Sequence, residues 1–275
     1  MNERTGGQAR DGATAPRSQD LGAPRALLLD FGGVVVQTTS RPSWRAELAA
    51  EVHRQLVAAG GSSLSVDDIA VDIEAGAAAD SAWKNAMSRP RNPSEMTHRM
   101  FWGDFVASDW PDSAREVVLA HATLLCHLMG RLRSDRAVRP GMDELLTAAD
   151  DAAIPVGIVS NALCGDVHRE YLAEIGWDKR FALEVYSDEV GVRKPNPEMV
   201  HIACRALGVQ PDETWYVGDN FDRDVVCGRR AGAGTVVLME ARATYRRPYP
   251  VRDQPDVVVA DPYGLLALLT AAVGP

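Results

Sequence analysis

The run Ala26-Leu27-Leu28-Leu29 stops at Asp30, and Phe31-Gly32-Gly33-Val34 follows at once. A carboxylate placed where a buried strand gives way to a glycine turn is exposed at the strand's carboxyl end. Open α/β sheets put their chemistry at that edge. There a carboxylate can serve as nucleophile, as metal ligand, or as both. Asp-Phe-Gly also occurs in protein kinases. This chain has neither a glycine-rich loop followed by a Val-Ala-Ile-Lys type lysine nor a His-Arg-Asp loop, so the kinase reading fails.

From Arg139 the pattern alternates as in α/β proteins. Strands are predicted at Ile154–Val159, Ala182–Tyr186, Thr214–Val217, Thr235–Met239 and Asp256–Val259. Helices are predicted over Pro140–Ala149, Asp166–Ile175, Pro197–Leu207 and Asp222–Ala231, and Gly264–Leu269 reads as a docking helix. Between the first strand and this region lies a block without a convincing strand. Its predicted helices are Trp44–Ala59, a start at Ser65, Asp80–Met87, one from Ser94 through Phe105, and one opening at Pro111 and running to about Arg131. The expected fold class is α/β, with a Rossmann-like doubly wound parallel sheet and an all-helical inserted domain. The expected boundaries are a disordered leader at 1–24, a core at 25–37 and 135–275, and the helical insertion at 38–134.

With 275 residues, 46% apolar and 24% charged, the chain has an ordinary globular composition. A net charge of −9 speaks against a nucleic-acid partner. No stretch of about 20 apolar residues is present, so no membrane span is expected. The N-terminus lacks the apolar segment of a signal peptide. Cys126, Cys164, Cys204 and Cys227 form no Cys-x-x-Cys pair and read as buried thiols in a reducing, cytoplasmic setting. The six histidines show no metal spacing and read as structural or exposed.

Three further strand ends carry polar residues: Ser160-Asn161, Gly218-Asp219-Asn220 with Asp224 beyond, and the loop Arg193-Lys194-Pro195 before a helix. In a parallel sheet these ends converge with Asp30 on one edge. Three crowded carboxylates repel unless a cation sits among them, and a hard divalent ion such as Mg²⁺ meets that need. A lysine offsets negative charge on a nucleophile and an incoming anion. A serine hydroxyl and backbone N–H groups hold phosphate oxygens. Phosphoryl transfer requires this combination.

The sequence resembles the haloacid dehalogenase superfamily over about Ala26 to Leu269. Asp30-Phe31-Gly32-Gly33-Val34 resembles its first motif, Ser160 its second, Lys194-Pro195 its third, and Gly218-Asp219 through Asp224 its fourth. The resemblance implies that the helical insertion is a cap and that Asp30 is a nucleophile forming an aspartyl intermediate. It implies that Ser160 and Asn161 bind phosphoryl oxygens and that Lys194 orients Asp30 and the phosphate. It implies Mg²⁺ bound by Asp30, the Gly32 carbonyl and Asp219, with Asp224 a ligand or a support. The partner implied is a small phosphorylated metabolite, the chain being a monomer or homodimer.

One departure stands out. Gly32 occupies the place of the family's second aspartate, the usual general acid/base, whose loss removes about 10²–10⁴ in rate. Three outcomes are open: another residue supplies the proton, the leaving group needs none, or the protein binds without turnover. Competing readings are phosphonate cleavage with Lys84 as a Schiff-base lysine, dehalogenation, and a catalytically weakened binding protein. Dehalogenation has no use for the Asp219 and Asp224 pair. The bland readings are a helix cap for Ser160 and an exposed first-turn acid for Asp222.

Overall fold

In the computed structural model, residues 21–61 and 63–274 are described, so the expected leader lies outside the described residues except for 21–24. In chain order the elements begin with β1 (Ala26–Leu29), β2 (Val36–Ser40), α1 (Trp44–Ala58), α2 (Val66–Met87) and the short α3 (His98–Met100). A π-helical turn, Phe101–Val106, leads to α4 (Asp112–Ala120), α5 (Ala122–Arg133) and β3 (Ser134–Val138). Then come α6 (Met142–Asp151), β4 (Val156–Ser160), α7 (Asp166–Glu174), β5 (Leu183–Tyr186), α8 (Ser187–Val190) and α9 (Glu198–Leu207). The chain closes with β6 (Thr214–Gly218), α10 (Val226–Ala231), β7 (Thr235–Met239), β8 (Val257–Val259) and α11 (Pro262–Val273).

Six strands form one parallel sheet in the order β5-β4-β1-β6-β7-β8. β1 lies at its centre, with Leu29 opposite Ile158 on one side and Val217 on the other. Its residues alternate between two cores, as side chains on a pleated strand must. Leu27 and Leu29 join α6 and α11 on one face; Ala26 and Leu28 join α9 and α10 on the other. All four are fully buried, each leucine contributing about 1.5–3 kcal/mol. Burial on both faces explains why β1 reads as a solid apolar run. The sheet is thus the expected α/β, doubly wound core.

The inserted helices have their own core, built from Trp44, Leu48, Val52, Ile69, Ile73, Trp102 and Leu125 among others. Three details differ from expectation. The insertion starts and ends on an antiparallel ribbon, β2 with β3, pairing Val36 with Val138 through Ser40 with Ser134. Val-Gln-Thr-Thr-Ser and Ser-Asp-Arg-Ala-Val carry too little apolar residue to signal a strand, because the ribbon is largely solvent-facing. Also, α2 is one 22-residue helix rather than two pieces. Its middle, Ala-Gly-Ala-Ala-Ala, shows no apolar stripe but has high helix propensity. A capping box between Ser65 and Asp68 fixes its start. Pro111 opens α4, but the chain breaks at His121 before α5 begins.

Candidate active site

The residues expected at the sheet edge do meet there. Asp30 follows β1, and its backbone N–H donates to the Val217 carbonyl at 2.8 Å. Lys194 Nζ lies 2.8 Å from Asp30 Oδ1 and 2.6 Å from Asp224 Oδ1. It also donates to the Val159 carbonyl at 3.1 Å, which pins the ammonium between two strands. Carboxylate oxygens of Asp30, Asp219 and Asp224 lie within 4.8 Å of one another. Asp30, Lys194, Asp219 and Asp224 are all buried.

Local backbone explains the arrangement. Gly33 has φ +84°, and a Cβ there would stand 2.3 Å from Asp219 Oδ2, so only glycine lets the first loop approach the fourth. A Cβ at Gly218 would stand 2.1 Å from Asp224 Cβ. Asp224 sits on a π-helical turn, Phe221–Val225, in which the Val225 N–H reaches back to the Asn220 carbonyl at 3.1 Å. Such turns re-aim side chains and recur at functional sites. Gly32 is different: a Cβ there meets nothing within 4 Å, so the missing aspartate is not excluded by space.

The remaining expected residues are placed as follows. Ser160 ends β4 and is buried, and α7 begins only at Asp166, so Ser160 does not cap that helix. Asn161 clasps the Lys194 peptide, accepting from its N–H at 2.8 Å and donating to its carbonyl at 3.2 Å. Asp222, expected to be exposed, is buried, because the π turn rotates it inward; its Oδ2 has no hydrogen-bond partner. Lys84 donates to Asp80 at 2.7 Å within the insertion. The four cysteines are free and buried, as expected. His168 is half-buried, its ring tilted against Phe31 at 4.3 Å; desolvation first, then Arg136, pushes it down to about 3, so it stays neutral. Three supports carried no readable signal. Tyr216 donates to Asp224 Oδ1 at 3.0 Å, Asn220 N–H donates to Asp224 Oδ2 at 3.0 Å, and Arg139 donates to the Gly33 carbonyl. Only the strand position of Tyr216, two before Gly218, could have hinted at its role.

The electrostatics follow from burial and crowding. Burial raises Asp30 above the ordinary carboxylate range, with Lys194 opposing. Asp219 is raised well above it, by burial first and then by Asp224 and Asp30. Burial disfavours the charge on Lys194, but Asp224 and Asp30 outweigh it and hold the ammonium charged. Three hard oxygen donors facing a single ammonium are short of positive charge, and this donor set suits a hard dication such as Mg²⁺.

Comparison with known proteins agrees with the fold. A family model described as haloacid dehalogenase-like hydrolase matches residues 24–232. The glyceraldehyde 3-phosphate phosphatase of Methanopyrus kandleri is 39% identical over 97 residues, covering 35% of this chain and 42% of that protein. The phosphoserine phosphatase of Thermus thermophilus is 31% identical over 151 residues, covering 55% of each. The chain thus spans about half the length of these relatives. A phosphatase structure from Thermococcus onnurineus superposes with a TM-score of 0.55 at 19% identity, over 90% of this chain and 99% of that one. Among the described residues no helix is long and apolar enough to cross a membrane.

Proposed function

Because the chain belongs to the haloacid dehalogenase-like hydrolases, we propose that it is a Mg²⁺-dependent phosphatase acting on a small phosphorylated metabolite through an aspartyl intermediate on Asp30. The observation that carries this reading is Lys194 Nζ, bridging Asp30 and Asp224 at 2.8 and 2.6 Å beside Asp219. Phosphatase relatives support a small phosphorylated substrate, and a net charge of −9 speaks against a nucleic-acid one.

Asp30 attacks phosphorus, the bond to the leaving oxygen breaks, and water then releases phosphate and restores the carboxylate. Lys194 neutralises charge on Asp30 and on the incoming phosphate. Asp30, the Gly32 carbonyl and Asp219 would hold Mg²⁺, which supplies Lewis-acid stabilisation of the phosphoryl oxygens. Both Asp224 oxygens are already engaged by Lys194, Tyr216 and Asn220, so Asp224 supports the site by holding Lys194. Ser160 meets the phosphoryl oxygens, with Asn161 bracing the lysine loop. The helical insertion acts as a cap that excludes water and selects the leaving group.

Gly32 favours substrates whose leaving group departs without a proton, such as an acyl or aryl phosphate. The test is Mg²⁺-dependent phosphate release from an aryl phosphate by the full chain. Release is expected in the wild type and lost in Asp30→Asn; equal release by both would remove Asp30 as nucleophile. Halide release from a short 2-halo acid without metal would replace the reading with dehalogenation.

A further inference from the structure

A second cluster lies where the insertion meets the sheet, apart from the aspartates. A ring nitrogen of His98, Cys164 Sγ and a carboxylate oxygen of Asp188 lie within 4.8 Å of one another. His98 opens α3 of the insertion; Cys164 is on the loop after Ser160, and Asp188 is on α8 beyond β5. Each group is already oriented. His98 Nδ1 lies 3.0 Å from Thr123 Oγ1, which leaves Nε2 facing the Leu163 carbonyl at 2.6 Å and Asp188 Oδ2 at 3.9 Å. The Gly165 N–H donates to Asp188 Oδ2 at 3.0 Å. Asp188 Oδ1, on a side chain only 9% exposed, has no hydrogen-bond partner. A buried acceptor without a donor costs about 1–3 kcal/mol and calls for an explanation.

We propose that His98, Cys164 and Asp188 form a second metal site, for a borderline-soft divalent ion such as Zn²⁺, that ties the insertion to the core beside the Ser160 loop. One imidazole nitrogen, one thiolate and one carboxylate make a Zn²⁺ donor set and a poor Mg²⁺ one. Neutral His98 with the Cys164 thiolate and Asp188 carboxylate balances the charge of the ion, which suits a buried place. On binding, the Cys164 thiol gives up its proton, and His98 changes tautomer: Nε2 sheds the proton it shares with the Leu163 carbonyl and takes the metal, while Nδ1 gains a proton, so the imidazole stays neutral. Thr123 fixes the ring by accepting from Nδ1, the usual outer partner of a metal-bound histidine. The bland alternative is a plain polar contact between His98, Leu163 and Asp188. It leaves Asp188 Oδ1 unaccounted for. This proposal does not depend on the phosphatase reading.

The probe is Co²⁺ added to the full-length protein with Mg²⁺ in large excess. A near-ultraviolet thiolate-to-cobalt charge-transfer band is expected, which the all-oxygen aspartate site cannot give. It should persist in Asp219→Asn and in Cys126→Ser, disappear in Cys164→Ser and in His98→Gln, and be displaced by Zn²⁺. Thr123→Val should weaken Co²⁺ binding about 10–100-fold. No band in the wild type, or a band that survives Cys164→Ser, overturns the site. His98→Gln keeps every thiol, so it decides the matter if Cys164→Ser does not fold.

Discussion

The Asp30–Lys194–Asp224 row and the underside of the helical insertion are both buried and both charged, yet they are built differently. In the row, every charge has a partner fixed by a strand end, and glycines at 33 and 218 admit the close approach. In the insertion, Asp80 Oδ2 binds Lys84 but Oδ1 binds nothing, and where Glu95 meets the core, Arg193 of the loop before α9 gives it Nη1 but leaves Nε alone. A satisfied network is preorganised for one task, which on the proposed reading is binding the phosphoryl group. An unsatisfied one holds polar capacity that water or a ligand completes. On the proposed function, chemistry would belong to the row and substrate choice to the insertion.

The largest effect should separate them most sharply. Asp30→Asn is expected to lower phosphate release from an acyl phosphate by on the order of 10⁴–10⁶-fold. Asp80→Asn should change it by less than about tenfold, since a substrate with a minimal leaving group touches the core alone. Comparable losses in steady-state assays would break the division. Next, Gly32→Asp, which has room for its Cβ, should raise hydrolysis of an alkyl phosphate by about 10²–10⁴-fold, leaving an aryl phosphate nearly unchanged. Lys194→Met removes the ammonium from between two buried carboxylates. It should destabilise the protein by about 3–5 kcal/mol, read as a lower urea midpoint.

A smaller effect is a pH dependence. Asp30 and Asp219 are raised above their ordinary value of 3.8 in the folded protein. The folded state therefore binds protons more tightly than the unfolded state. Its stabilisation is present below that value and is lost as pH rises through the raised values. Without divalent metal the melting temperature should fall over that window. Mg²⁺ at a hundred times its dissociation constant should restore about 2.7 kcal/mol. Asp219→Asn should flatten both responses, and a wild type indifferent to Mg²⁺ would remove the cation site. The smallest effect is at the rim. Arg131 of α5 pairs with Glu170 and Glu174 of α7, but its side chain is 48% exposed. Arg131→Ala should cost no more than about 1 kcal/mol in thermal unfolding.

The same contrast explains what could be read from the chain. Strand-end residues are legible because strand, turn and carboxylate occupy consecutive positions, and the sequence alone brings Asp30, Asp219 and Asp224 to one edge. Asp222 was misjudged because a π turn shifts the side-chain phase by a fraction of a residue, which no pattern in Phe-Asp-Arg-Asp-Val announces. Tyr216 and Arg139 support the site through single bonds from distant positions. The ribbon β2–β3 escaped notice because its residues face water on most positions. The cluster at His98, Cys164 and Asp188 is scattered along the chain without motif spacing.

That ribbon has a consequence for how the polypeptide reaches its native topology. β1 and β4 are neighbours in the sheet although the whole insertion separates them along the chain. Pairing Val36–Ser40 with Ser134–Val138 clips the two ends of that excursion together. Forming the ribbon pays the closure entropy of the excursion once, and the search for the β1–β4 pairing then involves only a short effective loop. A sequence of different length or composition can occupy the excursion while the sheet assembles at much the same rate.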